Sequence, residues 1–480
     1  MEMNNHKMRL AGILFLACLC LFSCSSDSDP DMNKVPNDEA GRNLTRSMEL
    51  VDAAVENYFS GESMSMSRYY NPYTKVSSQE RASVWMYTSA IEAVNAILKA
   101  MQVQKDLGNA VLYEKHFDRY CNLLERLFQG LQYYKGTFRL VSYTQTKDWS
   151  VYAVNRAGAP GTADVSGILN VYDDQQWLVR ELLESYHLTG NETYLSEAEY
   201  LAAYVLDGWD CTLDAAGREH GGITWGPGYV SKHSCSNGPF VSPLVWLHEI
   251  YKDSDQTITY GYIKPDKSRA TKTVRKSDYY LDFAIKVYDF QRNNLRRSDG
   301  VYDDMLGGDD TYGQVVYEEV AGQRYRRHTS LSSKVGPAYS YNSGTMLSGA
   351  ADLYRVTRDG RFLSDLQSLV PASFRCFAKL DKEKPGLYSY DVSGFNNWFN
   401  CVLMRGYLDA YPYEMGAETP LQSFQDNLDY SWDKYMYEDM LPTNLLLGWG
   451  SDRTRQNVEG MFMFAFAAEY AALARFKTEY

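Results

Sequence analysis

The chain has 480 residues, 45% hydrophobic and 23% charged, the balance of an ordinary globular protein and not of a disordered one. A formal net charge of −13 argues against nucleic acid as a partner, because phosphate binding needs clustered Lys and Arg; a neutral polymer is compatible with it. The 40 Tyr, 19 Phe and 9 Trp are more distinctive, since flat rings with a polar edge suit helix packing and also stacking on sugars.

Lys7 and Arg9 precede an apolar run of 13 residues, Leu10 to Phe22, which ends at Ser23-Cys24. A basic start, a short apolar core and a small-residue cleavage site read as a secretory signal. The run is too short for the ~20 residues of a bilayer-spanning helix. Leu21-Phe22-Ser23-Cys24 resembles a bacterial lipobox. That implies a signal peptide over 1–23, lipidation of Cys24, and a secreted lipoprotein anchored in the outer membrane. Acidic residues just behind Cys24 favour the cell surface over the periplasm. The polar, acidic, proline-bearing stretch 24–45 is expected to be a flexible tether, with one domain over 46–480. Of the remaining cysteines, Cys121, Cys211, Cys235, Cys376 and Cys401 follow no CxxC metal spacing. They are expected to be buried free thiols, and one disulfide stays open.

Beyond the tether the pattern is helical. Ser83–Met101 and Leu112–Gln132 are the first expected helices. Leu178, Leu182 and Tyr186 then stand four apart in YDDQQWLVRELLESYHLTG. Tyr194, Leu195, Ala198, Leu201 and Ala202 form a buried stripe that recurs at Tyr280, Leu281, Ala284, Val287 and Tyr288, and again at Phe362, Leu363, Leu366, Leu369 and Val370. A constant shift of 168 residues carries Leu178, Leu182, Tyr186 and Thr189 onto Met346, Ala350, Tyr354 and Thr357. GPFVSPLVWLHEIY offers another copy, with Leu247 and Tyr251 in the places of Leu182 and Tyr186. Trp398–Ala410 and Val458–Phe476 complete the expected set. Helices thus come in pairs that cannot bury their own faces. No sustained alternation predicts a large sheet. The expectation is all-α, a closed (α/α)6 barrel of six hairpins, with an open superhelix as the alternative. Long loops near 137–171, 208–240, 296–340, 380–397 and 440–457 are expected to wall a cleft.

The sharpest local feature is Tyr172-Asp173-Asp174-Gln175-Gln176-Trp177. Acids at a helix start are commonly structural, worth roughly 0.3–1 kcal/mol through the macrodipole. Two acids with separated proton affinities can instead cleave a glycosidic bond, one as nucleophile and one as acid then base, about 5–5.5 Å apart in retaining enzymes.

YDDQQW and the NETYLSEAEYLAAYVLDGWD that follows resemble the signature region of family 76 glycoside hydrolases, the endo-α-1,6-mannanases. His220-Gly-Gly-Ile-Thr-Trp225, Ser236-Asn237-Gly238-Pro239, Gly300-Val-Tyr-Asp303 and Tyr339-Ser-Tyr-Asn342-Ser-Gly344-Thr345 are similar to further motifs of that family, in order, over about 172–360. The resemblance implies an (α/α)6 barrel acting with retention, without cofactor or metal, on mannan or manno-oligosaccharides. It implies Asp173 as nucleophile and Asp174 as acid/base. Asn237, Tyr341 and Asn342, at corresponding places of the repeat, are expected to contact sugar hydroxyls. Trp225 and Trp398 are expected to stack on sugar faces, and Asp303 to accept from a hydroxyl. PGYVSKHS over 227–234 departs from the family, as does Ser343 where it often has Gln. Asp303, Asp304, Asp309 and Asp310 lack an EF-hand spacing, and His187, His220, His233 and His248 form no HExxH motif, so no metal is expected. A non-catalytic glycan-binding lipoprotein and another (α/α)6 carbohydrate enzyme are the competing readings.

Overall fold

Twelve α-helices run through the described residues (38–308, 314–331 and 333–480) of the computed structural model. In chain order they are α1 (Glu39–Tyr58), α2 (Val84–Asp106), α3 (Val111–Leu131), α4 (Tyr172–Thr189), α5 (Glu192–Asp207), α6 (Val241–Tyr251), α7 (Lys276–Leu295), α8 (Ser340–Thr357), α9 (Gly360–Phe377), α10 (Asn396–Ala410), α11 (Glu418–Tyr435) and α12 (Gly460–Glu479). Cys24 and the expected signal segment lie outside the described residues, as do Asp309 and Asp310.

The even-numbered helices touch one another in sequence, α2 to α4, α6, α8, α10 and α12, and α12 returns to α2. Each odd-numbered helix packs outside this ring, with α1 against α12. The closed ring is an (α/α)6 barrel. Residue patterns explain the two layers. Every residue of α12 from Gly460 to Ala471 is buried, because a helix that is apolar all round needs neighbours on all sides. By contrast α3 buries one stripe, including Leu112, Phe117, Tyr120, Leu124 and Leu131, and leaves its polar face to water.

The internal repeat survives in the helix bounds. Tyr172–Thr189 and Ser340–Thr357 coincide under the 168-residue shift. Both helices end in a left-handed residue, Gly190 and Arg358, whose N–H bonds to Tyr186 and Tyr354. At the centre, α8 and α10 approach so closely that a Cβ on Gly344 would lie 2.5 Å from the Val402 carbonyl oxygen. One on Gly406 would lie 2.4 Å from that of Gly344.

Three features differ from the sequence expectation. Helix α1 starts at Glu39, capped by Asp38, inside the stretch expected to be tether. Helix α11 lies outside the expected set. Two hairpins of paired seven-residue strands, Lys135–Val141 with Thr146–Tyr152 and Thr257–Ile263 with Arg269–Arg275, stand between the helices. A small ribbon pairs Lys232–His233 with Met305–Leu306 and Lys334–Val335, which ties the 208–240 loop to the 296–340 loop.

Candidate active site

The N-terminal ends of α2, α4, α8 and α10 open on one cleft of about 730 Å³. Asp173 and Asp174 lie on its lining, in the first turn of α4. That helix has no side-chain N-cap, and the backbone N–H groups of Asp173 and Asp174 hydrogen-bond the Asp173 carboxyl instead. The rest of the motif fixes the turn. The Tyr172 N–H donates to the Trp225 carbonyl at 2.7 Å. The Gln175 amide exchanges hydrogen bonds with the Tyr152 backbone, at 3.1 Å and 2.8 Å. Gln176 Nε2 donates to the Ser236 carbonyl at 2.7 Å.

The two carboxyls have separated proton affinities. Burial raises Asp174 well above the ordinary carboxylate range, and repulsion from Asp173 raises it further. Asp173 is raised less, to about 6: burial lifts it, while the Cys235 thiol, the Trp225 indole and backbone N–H groups favour its charged form. Asp173 Oδ1 and Trp225 Nε1 are buried without a hydrogen bond of ordinary geometry. Proton affinity is therefore raised further on Asp174 than on Asp173.

Aromatic rings wall the cleft. Trp225 stacks on His233, centroids 4.7 Å apart and planes at 17°. Burial keeps His233 neutral, at about 3, and its Nε2 lies 3.0 Å from Ser231 Oγ. The Trp398 indole N–H donates to Glu92 at 3.0 Å, and its ring stands edge-on to Trp177 and Trp85. Tyr341 also lines the cleft, with its hydroxyl beside the Cys235 thiol.

Three expected sugar contacts are elsewhere. Asn237 is fully buried, and its amide is used on the backbone of Ile223 and His233 at 2.7–3.0 Å. It pins the loop behind the cleft. Asn342 is fully buried as well, and its Nδ2 donates to the Asp303 carbonyl at 3.4 Å. The Asp303 carboxylate faces Arg297, 3.5 Å away. Neighbouring side chains on an extended chain point to opposite sides, so Asp304 lines the cleft and Asp303 does not. Trp85, Tyr229, His233, Cys235 and Phe395 are cleft residues that sequence reasoning missed. The only available signal was their place in the long loops and at helix starts.

One cluster among the described residues has metal-ligand chemistry. Asp210, His220 and His328 place ligand atoms within 4.8 Å of one another. The Lys232 ammonium, however, is 2.9 Å from Asp210 Oδ2 and donates to the Gly221 carbonyl. Burial would raise Asp210, but this ammonium, with hydrogen bonds from His328 and Thr212, holds it well below the usual range. The counter-charge is the protein's own, and a dication beside it would be repelled. The cluster ties His328 to Asp210 and His220 of the 208–240 loop.

No family model matches the chain, and no curated protein matches it. Solved structures do. A family 76 glycoside hydrolase (mannosidase) from Bacteroides thetaiotaomicron is 20% identical, over 91% of this chain and 99% of that one, with a TM-score of 0.64. A family 76 glycoside hydrolase from a bovine strain of that species is 19% identical, over 91% and 78%, with a TM-score of 0.66. An inactive variant of an α-1,6-mannanase from Salegentibacter, altered at two adjacent aspartates and bound to α-1,6-mannotriose, is 15% identical, over 90% and 99%, with a TM-score of 0.56. At these identities the likeness is one of fold, and the fold is the (α/α)6 barrel of family 76 glycoside hydrolases.

Proposed function

We propose that the protein is a family 76 retaining glycoside hydrolase that cleaves internal α-1,6-mannosidic bonds of mannan, of the fungal cell-wall backbone type. The carrying observation is the pair of half-buried Asp173 and buried Asp174 in one aromatic cleft, with proton affinity raised further on Asp174 than on Asp173. The similar Salegentibacter mannanase was inactivated at an adjacent aspartate pair. Asp173 attacks the anomeric carbon and forms a glycosyl ester while Asp174 gives its proton to the departing oxygen. Asp174 then takes a proton from water, and the hydroxide equivalent displaces Asp173. A separate resemblance, that of Leu21-Phe22-Ser23-Cys24 to a lipobox with acidic residues behind it, supports an outer-membrane lipoprotein held through Cys24 on the cell-surface side.

Retention is tested by proton NMR of the first products from α-1,6-mannan. The α-anomer should appear first and mutarotate later. A β-anomer first, or no new reducing end, would sink the mechanism. The pH profile of kcat/KM is expected to be bell-shaped. Its acid limb rises as Asp173 loses its proton near 6, and its alkaline limb falls as Asp174, raised further, loses its own. A profile flat from pH 4 to 9 would contradict the pairing.

A further inference from the structure

A second cavity, of about 410 Å³, lies between the hairpin Thr257–Ile263/Arg269–Arg275 and the helices α5 and α7. It shares no lining residue with the catalytic cleft, and its size falls in the ~300–1,000 Å³ range of small-ligand sites. It is firmly built. Tyr260 packs on Tyr279 at 4.7 Å between centroids and on Phe283 at 5.8 Å. Gly261 sits so close to the 142–145 turn that a Cβ there would meet Thr144 at 2.7 Å. Arg269 fastens the hairpin by donating to the Tyr143 carbonyl at 3.1 Å and to Glu318 at 2.7 Å.

The charges of this cavity are already used within the protein. Glu219 accepts from the Trp209 indole at 2.9 Å and pairs with Lys286 at 3.4 Å. Asp207 accepts from Ser142 and Gln145, both at 2.9 Å. Arg269 is committed to Glu318. The ammonium of Lys147 lies 3.8 Å from the Trp149 centroid. The lining carries two acids, Asp207 and Glu219, and two bases, Lys147 and Arg269, so it offers no net charge to an ionic ligand. What remains is half-exposed tyrosine surface beside Thr144, Gln145 and Thr271. Such a lining suits a neutral ligand with many hydroxyls and apolar ring faces.

The partition between the two sites is thin. Tyr325 lines the second cavity. The next residue, Arg326, donates through its backbone to the Ser142 carbonyl at 2.9 Å. Its guanidinium donates to the carbonyls of Pro227 and of Tyr229, and Tyr229 lines the cleft. A polymer held in one site is therefore kept near the other. We propose that the second cavity is a non-catalytic binding site for a neutral glycan strand, which raises the effective concentration of polymer at the cleft. That the strand is mannan rests on the function proposed above.

The test uses the full-length protein, Tyr262→Ala, and Thr271→Trp, which fills the cavity from an exposed strand position. Each is assayed on α-1,6-mannotetraose and on polymeric α-1,6-mannan, and run in affinity gels containing mannan or another neutral glycan. Both variants are expected to keep mannotetraose hydrolysis within about twofold, while kcat/KM on the polymer and gel retardation fall roughly tenfold. Parental polymer activity and retardation in both variants would overturn the site and leave the hydrolase reading intact. A parent that hydrolyses no mannan, yet loses its retardation by a neutral glycan through Thr271→Trp, would overturn the hydrolase reading and support the site. A parent retarded by no neutral glycan would overturn the site.

Discussion

Asp174→Asn is expected to reduce hydrolysis of α-1,6-mannan by about 10²–10⁴-fold, the usual contribution of one positioned general acid. Asp173→Asn should lose at least as much, because no glycosyl ester can form. The same variants should be no less stable than the parent. Both carboxyls ionise at higher pH in the folded chain than in the unfolded one. Folding therefore favours their protonated forms. That contribution is complete below the ordinary carboxylate range and is lost as pH climbs through the raised values, about 6 for Asp173. An asparagine carries no charge to desolvate. At pH 7 both variants should melt at or above the parent, and the gap should close at pH 4. Full activity in either variant would remove that residue from the mechanism, and a lower Tm at pH 7 would contradict the electrostatic account.

Gly344→Ala is expected to destabilise the fold by about 1–3 kcal/mol, the usual cost of overpacking. Alanine would gain up to ~1 kcal/mol of helix propensity over glycine, which does not offset the clash. The new Cβ would meet Val402 and Leu403 backbone at 2.5–2.7 Å, and backbone cannot rotate away as a flexible side chain does. Gly406→Ala strikes the same contact from α10, so the double variant should lose less than the sum of the two single losses. Urea melts of the three variants test this. Unchanged midpoints would show that α8 and α10 do not touch there. The sequence resemblance treats Gly344 as part of a site motif, and the packing explains why glycine stands in it.

The helical repeat was legible because core-facing stripes keep their spacing whatever the loops do. Helices α1 and α11 were not, because their polar residues have partners remote in sequence. Asn43 bonds to Gln425 at 2.6 Å, Arg46 to Asp429 at 2.6 Å and Ser47 to the Ala467 carbonyl at 2.6 Å. A polar stretch that looks like tether thus becomes a satisfied helix face. The same limit governs the site. The aspartate pair is local, so YDDQQW announces it. Asn237, Asn342 and Asp303 sit in motif-like strings, yet which way each side chain points depends on backbone partners in other loops. Cys235 and His233 reach the cleft through the ribbon that pairs Lys232–His233 with Met305–Leu306, a contact that no single segment encodes.

Product analysis on unbranched α-1,6-mannan tests the assignment of Asp173 and Asp174 most directly. The purified protein should release a ladder of manno-oligosaccharides, and Asp173→Asn and Asp174→Asn should release almost none. Intact mannan after incubation with the parent, together with retardation of the parent in a gel of the same mannan, would contradict hydrolysis and leave a glycan-binding protein in its place.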